Sequence, residues 1–538
     1  MVLFFGFVTK STKVDQQLQH QLHILAINQA EITSLLGKYQ HRKTGNHYLS
    51  AYDDKINGMT RDLDVFGTGS LYQYIHRTRS DQGSDRIAQV LVHPSDAQTI
   101  LERQKAIREL TPMIEWRQNL MATQMDSPIT NTMQQVLQDW IRDKSYQSLP
   151  TGWLIISYAI PVFTISSTVL YALKLIPQNL FILLVILAFG ILGYIATVAT
   201  KWFKPLQRIS KELDTLLPCL RLIENQTLNA TWIHPYQSSV LKPLPASESI
   251  GQLNHIIAKF DYRLNPIVFI PMNFFLCWDL RQVLALIDWK KKFNGNILGW
   301  FDALAEFESL SSFANLSFNH PDWSYPTLKD DWFTFNARGL AHPLLLSSKV
   351  VTNDFVLNAP LQMALITGSN MAGKSTFLRS IGANMILANA GSPVHATQFI
   401  YSPGTVLTSM RISDNLQEET STFYAELKKI KIILDAVNQK EKAIILIDEM
   451  LRGTNAEDRR IGSHGLINQL IRHGAVGVIA SHDTGLSAFK DQYPDLVQTY
   501  YFDSHLEGDE IKFDYTLKEG ICTSANASYL MKKMGIEI

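Results

Sequence analysis

Nine consecutive residues, Gly368, Ser369, Asn370, Met371, Ala372, Gly373, Lys374, Ser375 and Thr376, contain the order GxxxxGK[ST] needed to wrap a phosphate group. They follow an apolar run at 363–366 and lead into a helical stretch, the strand–loop–helix setting the motif requires. Glycines let successive backbone N–H groups turn toward one anion, and a helix starting there offers its positive end to the same charge. Lys374 is then placed to bridge the β- and γ-phosphates. Ser375 offers a hydroxyl to Mg²⁺, which neutralises charge on a transferred phosphoryl group. The expected ligands are therefore ATP, held by all nine residues, and Mg²⁺ on Ser375.

Two further segments supply groups suited to hydrolysis. Residues 443–447 are a continuous aliphatic run, as in a strand buried on both faces, and they end in Asp448 and Glu449. Carboxylates at such a strand end face the nucleotide crevice. Asp448 is the second expected Mg²⁺-side group, and Glu449 is the expected catalytic residue that orients or deprotonates the attacking water. A third strand candidate, 476–480, leads into Ser481, His482 and Asp483. His482 either hydrogen-bonds the γ-phosphate as a second catalytic group or is a structural or solvated loop histidine.

The elements that must position these groups occupy a long chain. At 538 residues it exceeds what one core usually organises, so two or three domains are expected. Lysine plus arginine and aspartate plus glutamate balance at 49 each, which gives no bulk electrostatic argument for a polyanionic partner. Cys219, Cys277 and Cys522 lie far apart, with no CxxC pair and no regular spacing that suggests a disulfide framework or a zinc site. The apolar run at 2–8 is too short to span a bilayer. Residues 153–173 and 180–200 are different: each run is free of charge and long enough to cross ~30 Å of hydrocarbon at ~1.5 Å per residue. Buried core helices are the alternative, but those usually keep a polar stripe. Arg142 and Lys144 precede the first run, and Lys201, Lys204, Arg208 and Lys211 follow the second, so both large flanks are expected on the cytoplasmic side of a membrane. Neither run carries an acid, a base or a histidine, which makes the hairpin an anchor rather than a transport path.

Wording around these segments resembles the MutS family of DNA mismatch repair ATPases. Residues 367–376 read TGSNMAGKST, with Ser369 where the family usually has proline. Ser421-Thr422-Phe423 with Glu426 matches an STF-x-x-E segment, and Asp448 to Thr454 is close to D-E-x-x-R-G-T. His342-Pro343, Asn353-Asp354 and the segment 518–527 are similar to further steps of the same ATPase domain. Upstream, Phe66-Gly67 with Ser70-Leu71, Arg77-Thr78 and Gly83, and later 303–314 with Glu308 in place of an aspartate, are similar to the helical lever of that family.

The resemblance implies an α/β P-loop NTPase domain of the ABC type at 332–538, preceded by an all-α lever at 1–150 and 203–325 that a transmembrane hairpin at 151–202 interrupts. It implies a homodimer in which Ser421 of one subunit caps the ATP held by the other, with ATP closing and hydrolysis opening the pair. DNA binding and a mismatch-repair role come with the resemblance; no protein partner is indicated. The rival is a membrane-anchored mechanical or scaffold ATPase that does not grip DNA, and half of a transporter is the weakest alternative.

Departures from the family pattern bear on that choice. The lever pattern begins near residue 60, and the first 60 residues hold no candidate for the phenylalanine wedge that detects a mispair. Where the family's lever holds a DNA-gripping clamp, this one holds the apolar hairpin. The basic clusters Lys290-Lys291-Lys292 and Lys428-Lys429 with Lys431 either touch phosphates or, as short charge runs usually are, are solvated faces, and the second is expected. Glu419 and Leu451 stand where glycines are usual, and neither change removes a phosphate or metal ligand.

Overall fold

The computed structural model describes residues 2–143, 150, 152–293, 297–346, 350–369, 371–411, 422–507 and 510–521, with side chains described for these apart from 2–6, 422 and 505–511. Residues up to Asn319 form a helical body. Its helices start where short polar side chains cap them: Ser80 accepts from the Gly83 N–H, Asp96 from Thr99 and Thr130 from Met133. The helix Ile297–Asn319 is the axis of the body, buried on nearly every side and packed against the helices Asp81–Val92, Ala97–Leu110 and His234–Leu241. Its Glu308 is wholly buried and receives the N–H groups of Arg79 (2.8 Å) and Ser80 (3.3 Å) and the Gln124 amide (3.0 Å). A Cβ on Gly83 would lie 2.5 Å from that carboxylate. The Arg77 to Gly83 and 303–314 segments, far apart in sequence, thus meet at one buried acid, whose pKa burial raises.

The two apolar runs form helices Gly152–Ala172 and Gln178–Arg208, both long and apolar enough to cross a membrane. They expose large apolar side chains, Ile155 at 70% and Val162 at 65% among them. A soluble core does not leave such a surface open. The second helix continues eight residues beyond the expected end at 200 and buries Trp202, Phe203 and Leu206 in the body. A short apolar helix, Pro266–Leu276, packs against the first helix of the hairpin.

Beyond the body lie two sheets. The four-stranded one has the order β1 (Thr327–Leu328), β5 (Gln398–Tyr401), β2 (Thr334–Leu340), β3 (Asn353–Asn358). The six-stranded one runs β10 (Glu510–Glu519), β9 (Val497–Glu507), β4 (Met363–Gly368), β8 (Val476–Ala480), β7 (Ala443–Asp448), β6 (Thr405–Ser409). All neighbours in it are parallel except β9 and β10. Strands β4, β7 and β8 are buried at every position, as helices on both faces require. On one face the helix Lys374–Asn389 is squeezed between sheet and body; a Cβ on its Gly382 would lie 2.6 Å from Leu63 and 3.1 Å from Leu446. One continuous hydrophobic core therefore joins the helical body to this face of the sheet. The opposite face has its own core under the helices Thr422–Asn438 and Ala456–Arg472.

The expectation of solvated basic clusters is corrected at two positions. Lys290 is buried and donates to the carbonyls of Trp140 (2.7 Å) and Asp143 (3.0 Å), closing the end of the helix Asn131–Arg142. Lys429 turns inward to Asp62 at 2.8 Å. Helix-end carbonyls in the first case and a buried carboxylate in the second replace the water that members of a like-charge run usually face.

Candidate nucleotide site

Parallel register brings the chemistry together. Ser481 N–H donates to the Ile366 carbonyl and Glu449 N–H to the Ala480 carbonyl, each at 2.9 Å. The C-terminal ends of β4, β8 and β7 therefore lie side by side, with the loop 368–373, His482 and the Asp448–Glu449 pair at one rim.

Gly368 (φ 143°), Met371 (φ 68°) and Gly373 (φ 108°) take left-handed or adjoining backbone conformations. A Cβ at 368 would lie 2.6 Å from the Phe502 carbonyl, so only glycine fits there. Met371 is 84% exposed and Ala372 is buried. Ser375 and Thr376 are the second and third residues of the helix that Lys374 opens, the first half-buried and the second exposed. Ser369 places its hydroxyl 3.5 Å from that of Ser504. Asn370 and Ser421 lie outside the described residues.

Lys374 folds over its own loop. Its ammonium donates to the carbonyls of Gly368 and Ser369, both at 2.8 Å, and stands 3.3 Å from His482 Nδ1. The other ring nitrogen, Nε2, meets a carboxylate oxygen of Glu449. Glu449 can only accept, so Nε2 carries the proton. The His482 hydrogen bond, helped by the Arg452 and Lys374 charges, holds the Glu449 carboxyl below its ordinary range in spite of partial burial. His482, a loop residue 38% exposed, thus joins the loop lysine to the acidic strand.

Glu449 is held from a second side by Arg452 Nε at 2.8 Å, and the same guanidinium donates to the Asp448 carbonyl at 3.0 Å. Asp448 is nearly buried. The turn after it is sharp: Glu449 (φ 59°) and Leu451 (φ 56°) are both left-handed. That explains why glycine is usual at position 451. Leucine occupies it here by burying its side chain against Gly462, where a Cβ would come within 2.3 Å. Glu426 completes the turn by accepting from the Leu451 and Arg452 N–H groups, the latter at 3.0 Å.

Beside the loop opens a cavity of about 270 Å³ lined by His342, Asn353, Thr376, Phe377, Phe502 and Tyr515, among others. Asn353 bolts its wall: its amide donates to the Tyr515 carbonyl (3.1 Å) and accepts from Leu517 N–H (2.7 Å), tying β10 to β3. Burial pushes His342 down to about 4, so it is a neutral ring at pH 7. Sequence reasoning assigned no role to Arg452, Phe377 or Tyr515. The D-E-x-x-R spacing was a signal for the first, whereas Tyr515 depends on a hairpin that only the fold brings back.

The MutS domain V model matches residues 364–536, the stretch carrying this rim. Similar proteins include DNA mismatch repair protein MutS 2 of Halobacterium salinarum, 30% identical over 241 residues, which is 44% of this chain and 27% of that protein. DNA mismatch repair protein MutS of Thermotoga maritima is 28% identical over 249 residues (46% and 31%), and that of Ehrlichia chaffeensis 32% over 230 residues (42% and 28%). Residues 364–536 are thus similar to MutS proteins. The chain spans 27 to 31% of the length of these relatives. The family model matches only this C-terminal stretch, and the apolar hairpin lies outside it.

Proposed function

We propose that this MutS-like chain is a Mg²⁺-dependent ATPase whose nucleotide cycle closes and opens a homodimer. The observation that carries the reading is the chain Lys374–His482–Glu449 across three adjacent strand ends, next to a cavity of nucleoside size. Lys374 exchanges its two loop carbonyls for β- and γ-phosphate oxygens when ATP enters. Residues 368–376 cradle the phosphates, and the adenosine occupies the cavity against Phe377 and Tyr515. Ser375 and Asp448, a hydroxyl and a nearly buried carboxylate at the same rim, suit a cation that keeps several waters and takes one or two protein ligands. The bound Mg²⁺ supplies charge neutralisation at the transferred phosphoryl group. Glu449, ionised and aimed by His482 and Arg452, accepts the proton of the attacking water.

The names of the relatives supply DNA mismatch repair as the role, and the motif resemblance implies DNA binding and Ser421 capping the partner's nucleotide. The exposed apolar hairpin favours a second reading, a membrane-held mechanical ATPase with both large flanks on the cytoplasmic side. Turnover of detergent-solubilised full-length protein, without DNA and with homoduplex, mismatched and branched DNA at low and moderate salt, separates them. Salt-sensitive stimulation by one DNA form supports the repair role. Equal turnover in all conditions supports the mechanical one.

A further inference from the structure

Between Arg263 and Asp279 the chain runs fifteen residues without a charge, from Leu264 to Trp278. Most of it is the helix Pro266–Leu276, which Cys277 (φ 49°) ends in a left-handed turn; the next helix, Trp278–Phe293, departs at 75°. Eleven residues are too few to span a bilayer. They are too apolar and too open for a soluble surface: Ile267 is 86% exposed, Leu264 79%, and Val268 and Ile270 are also exposed.

The neck of this excursion is closed. Arg263 pairs with the fully buried Asp279 at 2.6 and 2.8 Å and donates to Thr200 Oγ1 (2.9 Å) and the Ala196 carbonyl (3.3 Å) of the second hairpin helix. Tyr262 and Trp278 stack there, ring centres 5.8 Å apart. Chain departure and return thus share one point, marked by a neutralised ion pair and two amphipathic aromatics, the residue types that gather at a bilayer boundary. Above the neck, Thr164 in the first hairpin helix donates to the Phe274 carbonyl at 2.9 Å, and Phe189 in the second stacks on Phe274. The short helix and the hairpin share one small core, separate from the core of the body.

We propose that Pro266–Leu276 is a third membrane element, a segment that dips into the same leaflet as the cytoplasmic half of the hairpin, with the lipid bilayer covering Leu264, Ile267 and Ile270. This rests on the membrane reading of the hairpin and extends it. Continuity selects lipid as the occupant: the exposed face adjoins exposed hairpin side chains, and the Arg263–Asp279 pair leaves no charge to bring into the hydrocarbon.

The test places a nitroxide on single cysteines in the full-length protein in nanodiscs of phosphatidylcholine and phosphatidylglycerol. The sites are Ile267→Cys, Tyr194→Cys in the hairpin and Leu101→Cys on the body, each in a Cys522→Ser background. The buried thiols Cys219 and Cys277 are controlled by the unsubstituted parent. Collision rates with oxygen and with a neutral water-soluble nickel chelate are compared. At Ile267→Cys the expected oxygen-to-nickel ratio is severalfold that at Leu101→Cys and matches Tyr194→Cys. A ratio like that of Leu101→Cys, with Tyr194→Cys still lipid-like, overturns the third element and leaves the hairpin in place. Low collision with both reagents means a second copy covers the helix, and also overturns it. Water-like ratios at both Ile267→Cys and Tyr194→Cys dismiss the membrane reading itself.

Discussion

Asp62, at the end of the body helix Asp54–Asp62, holds the Lys429 ammonium at 2.8 and 3.0 Å in the α/β half of the chain. The same carboxylate accepts from Thr408 Oγ1 (2.8 Å) and from the Met410 and Arg411 N–H groups (3.0 and 3.1 Å). Lys429 lies on the helix that also carries Glu426, and Glu426 grips the turn after Glu449. One helix thus touches the body through Lys429 and the turn after the acidic strand through Glu426.

Asp62→Asn should lower stability by about 3 kcal/mol, because it leaves Lys429 facing a neutral group in a largely buried site. Thermal unfolding measures this. Adding Lys429→Met should restore part of the loss; no restoration would mean that the pair is not the source.

Lys374→Ala should abolish ATP binding, whereas Glu449→Gln should bind ATP and stall. Nucleotide binding and single-turnover hydrolysis, measured side by side, distinguish the two. Normal turnover by Glu449→Gln would remove it as the base.

His482→Asn should shift the acid limb of the turnover profile upward. The Glu449 carboxyl lies below its ordinary value of 4.5 chiefly through His482. A depressed carboxylate contributes stability above 4.5 that is lost as pH falls through the lower folded value. Without the imidazole, Glu449 protonates at higher pH and activity fails sooner on acidification. An unmoved limb in a pH–rate profile would show that another group sets it.

Leu451→Gly sets backbone strain against burial. Relief of the left-handed leucine is worth about 1 kcal/mol, and loss of its buried side chain costs about 3 kcal/mol. The variant should melt earlier, by a net of about 2 kcal/mol. A higher melting temperature would reverse the ranking.

Legibility followed the kind of constraint. The strand–loop–helix at 363–389 and the strand ending in Asp448 were readable because short motifs fix residue types at short spacings, and the two long apolar helices because uninterrupted apolar runs fix a length. The helix Pro266–Leu276 escaped that length criterion. Asp62 meets partners more than 340 positions away, and Lys290 and Lys429 sit in runs whose other members carry the ordinary surface signal. Glu308 was readable as part of a pattern, but its meeting with Ser80 was a matter of fold. Ser421, for which the resemblance implies a shared site, lies outside the described residues.

The helix Gln178–Arg208 runs unbroken from the apolar hairpin into the core of the body, a shaft of about 46 Å at the usual rise per residue. No loop separates what the body does from what this helix does. Held in a bilayer as proposed, any rotation of the body tilts the shaft, and tilting is resisted by the mismatch between its apolar length and the hydrocarbon thickness. Lipid chain length then becomes a spring in series with the nucleotide cycle.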